Sequence, residues 1–290
     1  MMMIKKIAAA AALLAVAPAF AAISGGIGGQ SGEMLLSVYD GTAKVSYTKD
    51  LGDLIGTFKA SADANEAGFT KSWSLAGDAN WTSFASQANL GIANWLVFAS
   101  EKTTFNQTAA GNMRVYQTIK AGDEAKPGIV SNATNSALLN VMGSLPNFYN
   151  AVNVSGTHGV VGTILDYSVN GSSVNLDSDS GAGYVGEGST GGLSNNGVSL
   201  FKFRNDSAIG ASAQFDYLSR SSTASAGALT VDNFANTAGS GLFTFSLQSG
   251  TPTLTYTLAA AAVPEPSSYA MLLAGLLGIA FVARRRSKQD

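Results

Sequence analysis

Alternating carboxylates in a Gly-rich loop are the residues of this chain best suited to hold a metal ion. Asp177 and Asp179 stand two positions apart in the run Asp-Ser-Asp-Ser-Gly. Carboxylate oxygens at this spacing can wrap a hard cation, so the pair predicts a calcium site. The loop departs from the EF-hand pattern, because Ala182 stands where the sharp-turn glycine belongs and Gly188 where the bidentate glutamate belongs, with Glu187 one position early. A solvated polar loop is therefore the favoured interpretation, and the calcium site at Asp177 and Asp179 is the alternative.

Catalytic chemistry has few candidates. His158 is the only histidine and lies in Ser-Gly-Thr-His-Gly, a turn-like segment. A serine hydrolase would need a nucleophile and an orienting acid beside it; Asp166 is near in sequence, but no serine stands in a nucleophile-elbow pattern. The chain has no cysteine, which excludes a thiol nucleophile and a thiolate metal site. The sequence therefore predicts a non-enzymatic body with no catalytic residues and no cofactor.

Four aromatic residues could stack on sugar rings or fill a core. They are Trp73, Trp81, Trp95 and Tyr149. Burying an aromatic side chain gains more free energy than displaying it, so the core is the favoured interpretation. A carbohydrate-binding module that uses exposed aromatics remains the functional alternative, and a secreted hydrolase ranks below it.

The C-terminal segment combines a stiff motif, an apolar run and a cluster of positive charge. Pro264, Glu265 and Pro266 come first, and the prolines fix their own φ angles and favour an extended, protease-accessible segment. Ser267 or Ser268 could cap the helix that follows. The apolar run of 269–283 predicts a single transmembrane helix, although it is shorter than the usual span of about 20 residues. Arg284, Arg285 and Arg286 predict a cytoplasmic stop after it.

This order of motif, helix and arginines resembles the PEP-CTERM sorting signal, which is read by exosortases. The opening of the body, 32–40 and 45–52, also resembles the start of one group of PEP-CTERM proteins. The resemblance implies an inner-membrane-anchored precursor that an exosortase cuts near Pro264, Glu265 and Pro266. The product would pass to the cell surface or to a biofilm matrix, where exopolysaccharide is a possible partner.

The N-terminus carries the features of a secretory signal peptide. Lys5 and Lys6 form a positive region, an apolar stretch follows, and Ala19-Phe20-Ala21 fits the small-x-small cleavage pattern. The mature chain is therefore predicted to start at Ala22, outside the inner membrane. Both ends predict the same orientation.

The charge of the body limits its partners. Removing both terminal signals takes six of the 17 Lys and Arg residues and two of the 19 Asp and Glu residues, which leaves about −6. A mildly acidic body argues against binding nucleic acid or anionic lipid through a basic surface.

Strand-like patterns at short spacing dominate the body and predict a mainly β fold. The predicted class is an antiparallel β-sandwich, jelly-roll-like, with one or two short helices. The predicted domains are a signal peptide (1–21), an exported β-rich domain (22–258), a linker with the Pro-Glu-Pro motif (259–268), a transmembrane helix (269–283) and a basic tail (284–290). The predicted strands are 33–39, 44–48, 92–99, 113–120, 151–154, 159–168, 198–204, 213–218, 242–247 and 253–258, and the predicted helices are 78–90 and 134–144.

Overall fold

The computed structural model describes ten stretches of the chain: residues 23–26, 31–102, 109–120, 123, 133–157, 170–178, 183–186, 205–248, 250–262 and 266–286. The strands are β1 (Glu33–Asp40), β2 (Val45–Leu54), β3 (Phe69–Ser74), β4 (Asn94–Lys102), β5 (Met113–Lys120), β6 (Ser172–Leu176), β7 (Ser207–Ala208), β8 (Ser212–Ser219), β9 (Thr230–Asn233), β10 (Ala235–Asn236), β11 (Gly239–Ser240), β12 (Leu242–Gln248) and β13 (Thr251–Leu258). The helices are α1 (Ile55–Ala62), α2 (Ala79–Gln87), α3 (Asn135–Ser155) and α4 (Pro266–Arg286).

One antiparallel sheet organises the body. Its strand order is β3-β13-β12-β8-β5-β4-β1-β2-β6, with β7 added on β4 and β9 on β8. The first hairpin, β1 and β2, turns at Asp40 and Gly41 as predicted, and the Asp40 side chain accepts hydrogen bonds from the N–H groups of Thr42 and Ala43. Every residue of β1 is buried, so this strand lies in the middle of the protein with both faces covered.

The sheet is strongly curled into a half-barrel. Tyr47 of β2 and Phe245 of β12 stand five places apart in the strand order, which in a flat sheet would separate them by about 24 Å. Both rings nevertheless contact the Trp81 ring of α2, with centroid distances of 5.4 and 5.5 Å. The helix α2 therefore lies inside the curl and is held by strands from both sides of it.

Two apolar cores lie on opposite faces of the sheet. The inner core joins alternate strand residues to α1 and α2, and Phe58 of α1 is near its centre. The outer core joins the other strand residues, such as Leu35 and Phe98, to α3. The three-layer arrangement explains why β1 and β4 are apolar on both faces.

The predicted β-sandwich is wrong. A sandwich needs two facing sheets, whereas the long strands here form one continuous path and helices supply the covering layers. The mainly β, antiparallel part of the prediction is confirmed. The helices also exceed the predicted one or two short ones, because α3 is 21 residues long and α1 was missed.

Helix α3 continues past its predicted end at 144 and through Pro146. Pro146 costs a helix interior about 3 kcal/mol. The buried stripe of Leu138, Val141, Met142 and Leu145 resumes after the proline with Phe148, Tyr149 and Val152, so packing of both halves on the outer core outweighs that cost. The predicted strand 151–154 is therefore wrong, since it forms the end of α3. The predicted strands 159–168 and 198–204 lie outside the described residues.

Replacing Phe58 with leucine is expected to lower the free energy of unfolding by about 2 kcal/mol, because the Phe58 ring packs against several others. Its contacts include stacking on Phe243 at 5.9 Å and an edge contact with Tyr256 at 5.0 Å. Urea unfolding of the mature protein measures the change. Val154→Ala is the control, since Val154 is 82% exposed and should change stability by less than about 0.5 kcal/mol. Equal stability of Phe58→Leu and the parent would contradict the central role of this ring.

Candidate functional site

The tail leaves the body at the end of β13 and is tied down before the processing motif begins. Asn236 donates a hydrogen bond from its side chain to the carbonyl oxygen of Ala259 at 2.7 Å and another to that of Asn65 at 2.8 Å. The N–H of Ala261 donates to the carbonyl oxygen of Glu66 at 2.9 Å. The last anchored residue therefore stands three positions before Pro264.

Helix α4 carries the predicted membrane segment. It runs from Pro266 to Arg286, so it begins earlier than the predicted boundary of 269. A proline suits the first position of a helix, where its missing N–H has no partner to lose. Ser267 and Ser268 consequently lie in the first turn, and a cap supplied by one of them stays a prediction.

The apolar side chains of α4 that the structure describes are exposed. Met271, Leu272, Leu273, Leu276, Leu277 and Ile279 are each 56 to 74% exposed. An all-round apolar helix is not the pattern of a water-facing surface helix, which would show a polar side. Arg284 is exposed beyond them, whereas Pro264 and Glu265 lie outside the described residues.

Over the stretches that the structure describes, no helix combines the length and the apolar character needed to cross a membrane. The transmembrane helix at 269–283 stays a prediction.

The predicted calcium ligands are described only in part. Asp177 accepts a hydrogen bond from the Lys44 ammonium at 2.8 Å, and its N–H donates to the Lys44 carbonyl oxygen. Asp179 and Glu187 lie outside the described residues, as does His158. Among the residues described, no group of three or more Asp, Glu, His or Cys side chains could hold a metal ion. The calcium site stays a prediction.

The aromatic residues that could have stacked on sugars belong to the cores. Trp95 is fully buried, Trp81 is 7% exposed, Tyr149 is 4% exposed and Trp73 is half-buried. The indole N–H of Trp95 donates to the carbonyl oxygen of Ala208, and that of Trp73 to Asp53. The core interpretation of these residues is confirmed.

Asp78 fixes the position of α2 inside the curl. Its carboxylate accepts from the N–H groups of Asn80 and Trp81 and from the hydroxyls of Tyr47 and Ser172, at 2.9 to 3.1 Å. Burial works to raise the pKa of Asp78, but these hydrogen bonds outweigh it and hold the pKa below its usual value. This carboxylate is thus a structural group that joins α2 to β2 and β6.

Two further carboxylates are buried close together and were not predicted from the sequence. Glu33 and Asp50 are 3% and 0% exposed on the outer side of β1 and β2. Glu33 accepts from the N–H of Ser24 at 2.6 Å and Asp50 accepts from that of Gly52 at 2.8 Å. The second Asp50 oxygen has no hydrogen-bond partner among the described residues. Burial, and next the charge of Asp50, raises the pKa of Glu33 to about 8, and burial raises that of Asp50 to about 6.

The segment 23–26 lies beside this acid pair as a short strap. Ile23 donates its N–H to the side chain of Asn153 in α3, and the carbonyl oxygens of Gly25 and Gly26 accept from Ser100 and Lys102. A carboxylate inside the apolar run Glu33-Met34-Leu35-Leu36 was the available signal for a buried acid. The strap itself had no such signal, because it lies in a Gly-rich stretch.

Comparison with known families assigns the tail. Residues 262–287 match the family model of the PEP-CTERM protein-sorting motif. No curated protein and no solved structure is significantly similar to the chain. The chain therefore carries a PEP-CTERM protein-sorting motif at its C-terminus, the mark of an exported protein that an exosortase processes and sorts to the cell surface.

Proposed function

We propose that the body is a non-enzymatic scaffold of the cell surface or of a biofilm matrix, delivered there through its PEP-CTERM motif. The match of residues 262–287 carries the proposal. Until it is cut, the precursor is held in the inner membrane by 269–283, with Arg284, Arg285 and Arg286 on the cytoplasmic side. Exosortase cleavage near Pro264, Glu265 and Pro266 then releases the body.

The construction of the body supports a scaffold. Its large aromatic residues fill two cores, and described carboxylates such as Asp40, Asp53 and Asp78 accept hydrogen bonds that hold turns and helices in place. An open depression of about 380 Å³ is lined by neutral side chains, including Trp81 and Thr251, and offers no acid or base for hydrolysis. Burial of Trp81, Trp95 and Tyr149 disfavours a sugar-binding mode built on exposed aromatics.

The experiment is intact-mass measurement and C-terminal peptide mapping of the protein recovered from the native cell surface and medium. Loss of α4 with a new C-terminus near Pro264 is the expected result. Extra mass on the body would indicate that it is glycosylated and would leave the conclusion on sorting unchanged. An intact tail reaching Asp290 in the membrane fraction would overturn processing and leave a membrane-anchored protein.

A further inference from the structure

The outer face of four neighbouring strands is rich in hydroxyl groups, although Leu242, Gln248 and Gln214 also lie on it. Along β3, β13, β12 and the start of β8, alternate residues such as Trp73, Tyr256 and Phe243 enter the inner core. The residues between them point outward and are half-buried or exposed. The hydroxyl face, as we call it, consists of Thr70, Ser72, Ser74, Ser212, Thr244, Ser246, Thr251, Thr253, Thr255 and Thr257.

Strand register arranges these hydroxyls in rows. Thr255 stands between Ser72 and Thr244, and Thr244 pairs in turn with Ser212, so one row crosses four strands. Thr253 stands between Ser74 and Ser246 in a parallel row. Neighbours in a row are about 4.8 Å apart and successive rows about 6.8 Å apart, which makes a regular grid.

Hydrogen bonds within the rows fix some of the hydroxyl groups. The oxygens of Ser72 and Thr255 are 3.0 Å apart, and those of Ser212 and Thr244 are 2.7 Å apart. Each hydroxyl has one proton to donate and two lone pairs to accept with. A pair that shares one proton therefore keeps a further donor and acceptor sites for an outside partner.

The outward side chains of the hydroxyl face carry no charge, and the one charged residue of the edge strand β3, Lys71, lies on the inner side and pairs with Asp53. Edge strands commonly carry lysine or another charge that discourages association. The outward residues of the edge strand β3 are Thr70, Ser72 and Ser74, all exposed. Within the described part of the chain, no strand pairs with the outer edge of β3. The acidic surplus of the body is thus kept off this face.

The face ends at the open depression of about 380 Å³. Thr251 belongs to both, and the remaining lining includes Trp81, Thr82 and Pro252. A volume of this size falls in the range of small-molecule pockets, roughly 300 to 1,000 Å³. The depression extends the neutral character of the face beyond the end of β13.

We propose that the hydroxyl face binds a neutral polysaccharide that lies across β3, β13, β12 and β8. A flat grid cannot enclose a single sugar, so affinity has to come from many weak contacts along a repeating polymer. Sugar hydroxyls donate and accept as serine and threonine do, and the lack of charge selects against anionic glycans. The inference deepens the proposed surface role. It rests on that role only in assuming that the protein reaches a location where polysaccharide is present.

The test measures retention of the mature protein on cellulose, amylose and dextran, with alginate as an anionic polymer, at low and high salt. Thr253→Val with Thr255→Val removes two hydroxyls at the centre of the face and keeps β-branched side chains that suit a strand. Thr223→Val with Thr230→Val is the matched control, because both residues are exposed and lie off the face. Thermal unfolding of each variant verifies that it is folded.

The expected result is salt-independent retention on at least one neutral polymer. The Thr253 and Thr255 variant should bind at least about tenfold more weakly, and the control should bind like the parent. Three results would overturn the proposal: retention on none of the neutral polymers, equal retention on alginate that salt abolishes, or undiminished binding by the face variant. A variant that changes only self-association in sedimentation would make the face a contact between copies instead. Each of these failures leaves the C-terminal mapping untouched, since that result depends on the tail alone.

Discussion

A chain with Pro264→Ala, Glu265→Ala and Pro266→Ala is expected to remain uncut and to keep its tail to Asp290. The substitutions remove the residues that define the motif matched at 262–287. They also raise the helix propensity of the motif, because alanine is the best helix former and proline disfavours helix in the residue before it. The helix that now starts at Pro266 could then extend towards Ala261, which would fold the cleavage segment into a helix.

Intact mass and the division of the chain between membrane and surface fractions measure this effect. Ser267→Ala with Ser268→Ala is the matched control, since these residues follow the motif directly in the first turn of α4. The control should be processed like the parent. Normal cleavage of the alanine variant would show that the enzyme reads another part of the tail.

Anchoring of the linker gives the cut a defined place relative to the fold. The hydrogen bonds of Ala259 to Asn236 and of Ala261 to Glu66 hold the chain up to a point three residues before Pro264. Strand β13 ends at Leu258 and is paired on both sides, with β12 and β3. Cleavage at the motif therefore removes α4 without taking away a strand of the sheet.

Sequence alone predicted the parts of the fold that depend on local patterns. The strand 113–120 was found with its observed limits, and 253–258, where apolar and polar residues alternate cleanly, lies within β13. The start of α2 near Asp78 was also found, since Trp81 and Phe84 fall on one face of the predicted helix. The tail was identified because a proline motif, an apolar run and arginines follow one another within 27 residues.

Long-range packing decided what the sequence could not show. The end of α3 depends on whether burial of Phe148, Tyr149 and Val152 outweighs Pro146, and this balance involves strands far along the chain. Strand β6 pairs with β2 through residues more than 120 positions apart. The sequence could not distinguish a sandwich from a curled sheet either, since strands with alternating apolar and polar residues occur in both.

The two candidate sites of the body also depended on tertiary structure. Leu254, Tyr256 and Leu258 alternate along the predicted strand 253–258, and all three lie in the inner core. The threonines between them could not be recognised as part of a larger surface, because the neighbouring hydroxyls come from β3, β12 and β8. Glu33 and Asp50 are 17 positions apart, and the sheet register brings them to the same side of the β1–β2 hairpin.

Glu33→Gln is expected to stabilise the mature protein by about 4 kcal/mol at pH 8 and to change its stability little at pH 4. Burial raises the pKa of Glu33 from 4.5 to about 8, so the folded protein holds a proton that the unfolded chain releases. The contribution of Glu33 to the free energy of unfolding is therefore fully present below about pH 4.5 and is lost as the pH rises towards 8. Glutamine stays neutral and can still accept from the N–H of Ser24, so it removes the loss and keeps the contact.

Thermal or urea unfolding between pH 4 and pH 8.5 gives the two profiles. Glu66→Gln is the matched control, because Glu66 is exposed and the same chemical change there should leave a profile parallel to that of the parent. A Glu33→Gln variant that is less stable than the parent at pH 8 would contradict the argument, since it would mean that a charged Glu33 is compensated in the folded protein. Cleavage after Ala21 would create a new amino terminus directly before the strap 23–26. In that case the positive charge of this amino group would be the first candidate for the compensation. The expected gain instead implies that the acid pair tightens the join between the strap, β1 and α3 wherever the surroundings of the cell surface are acidic.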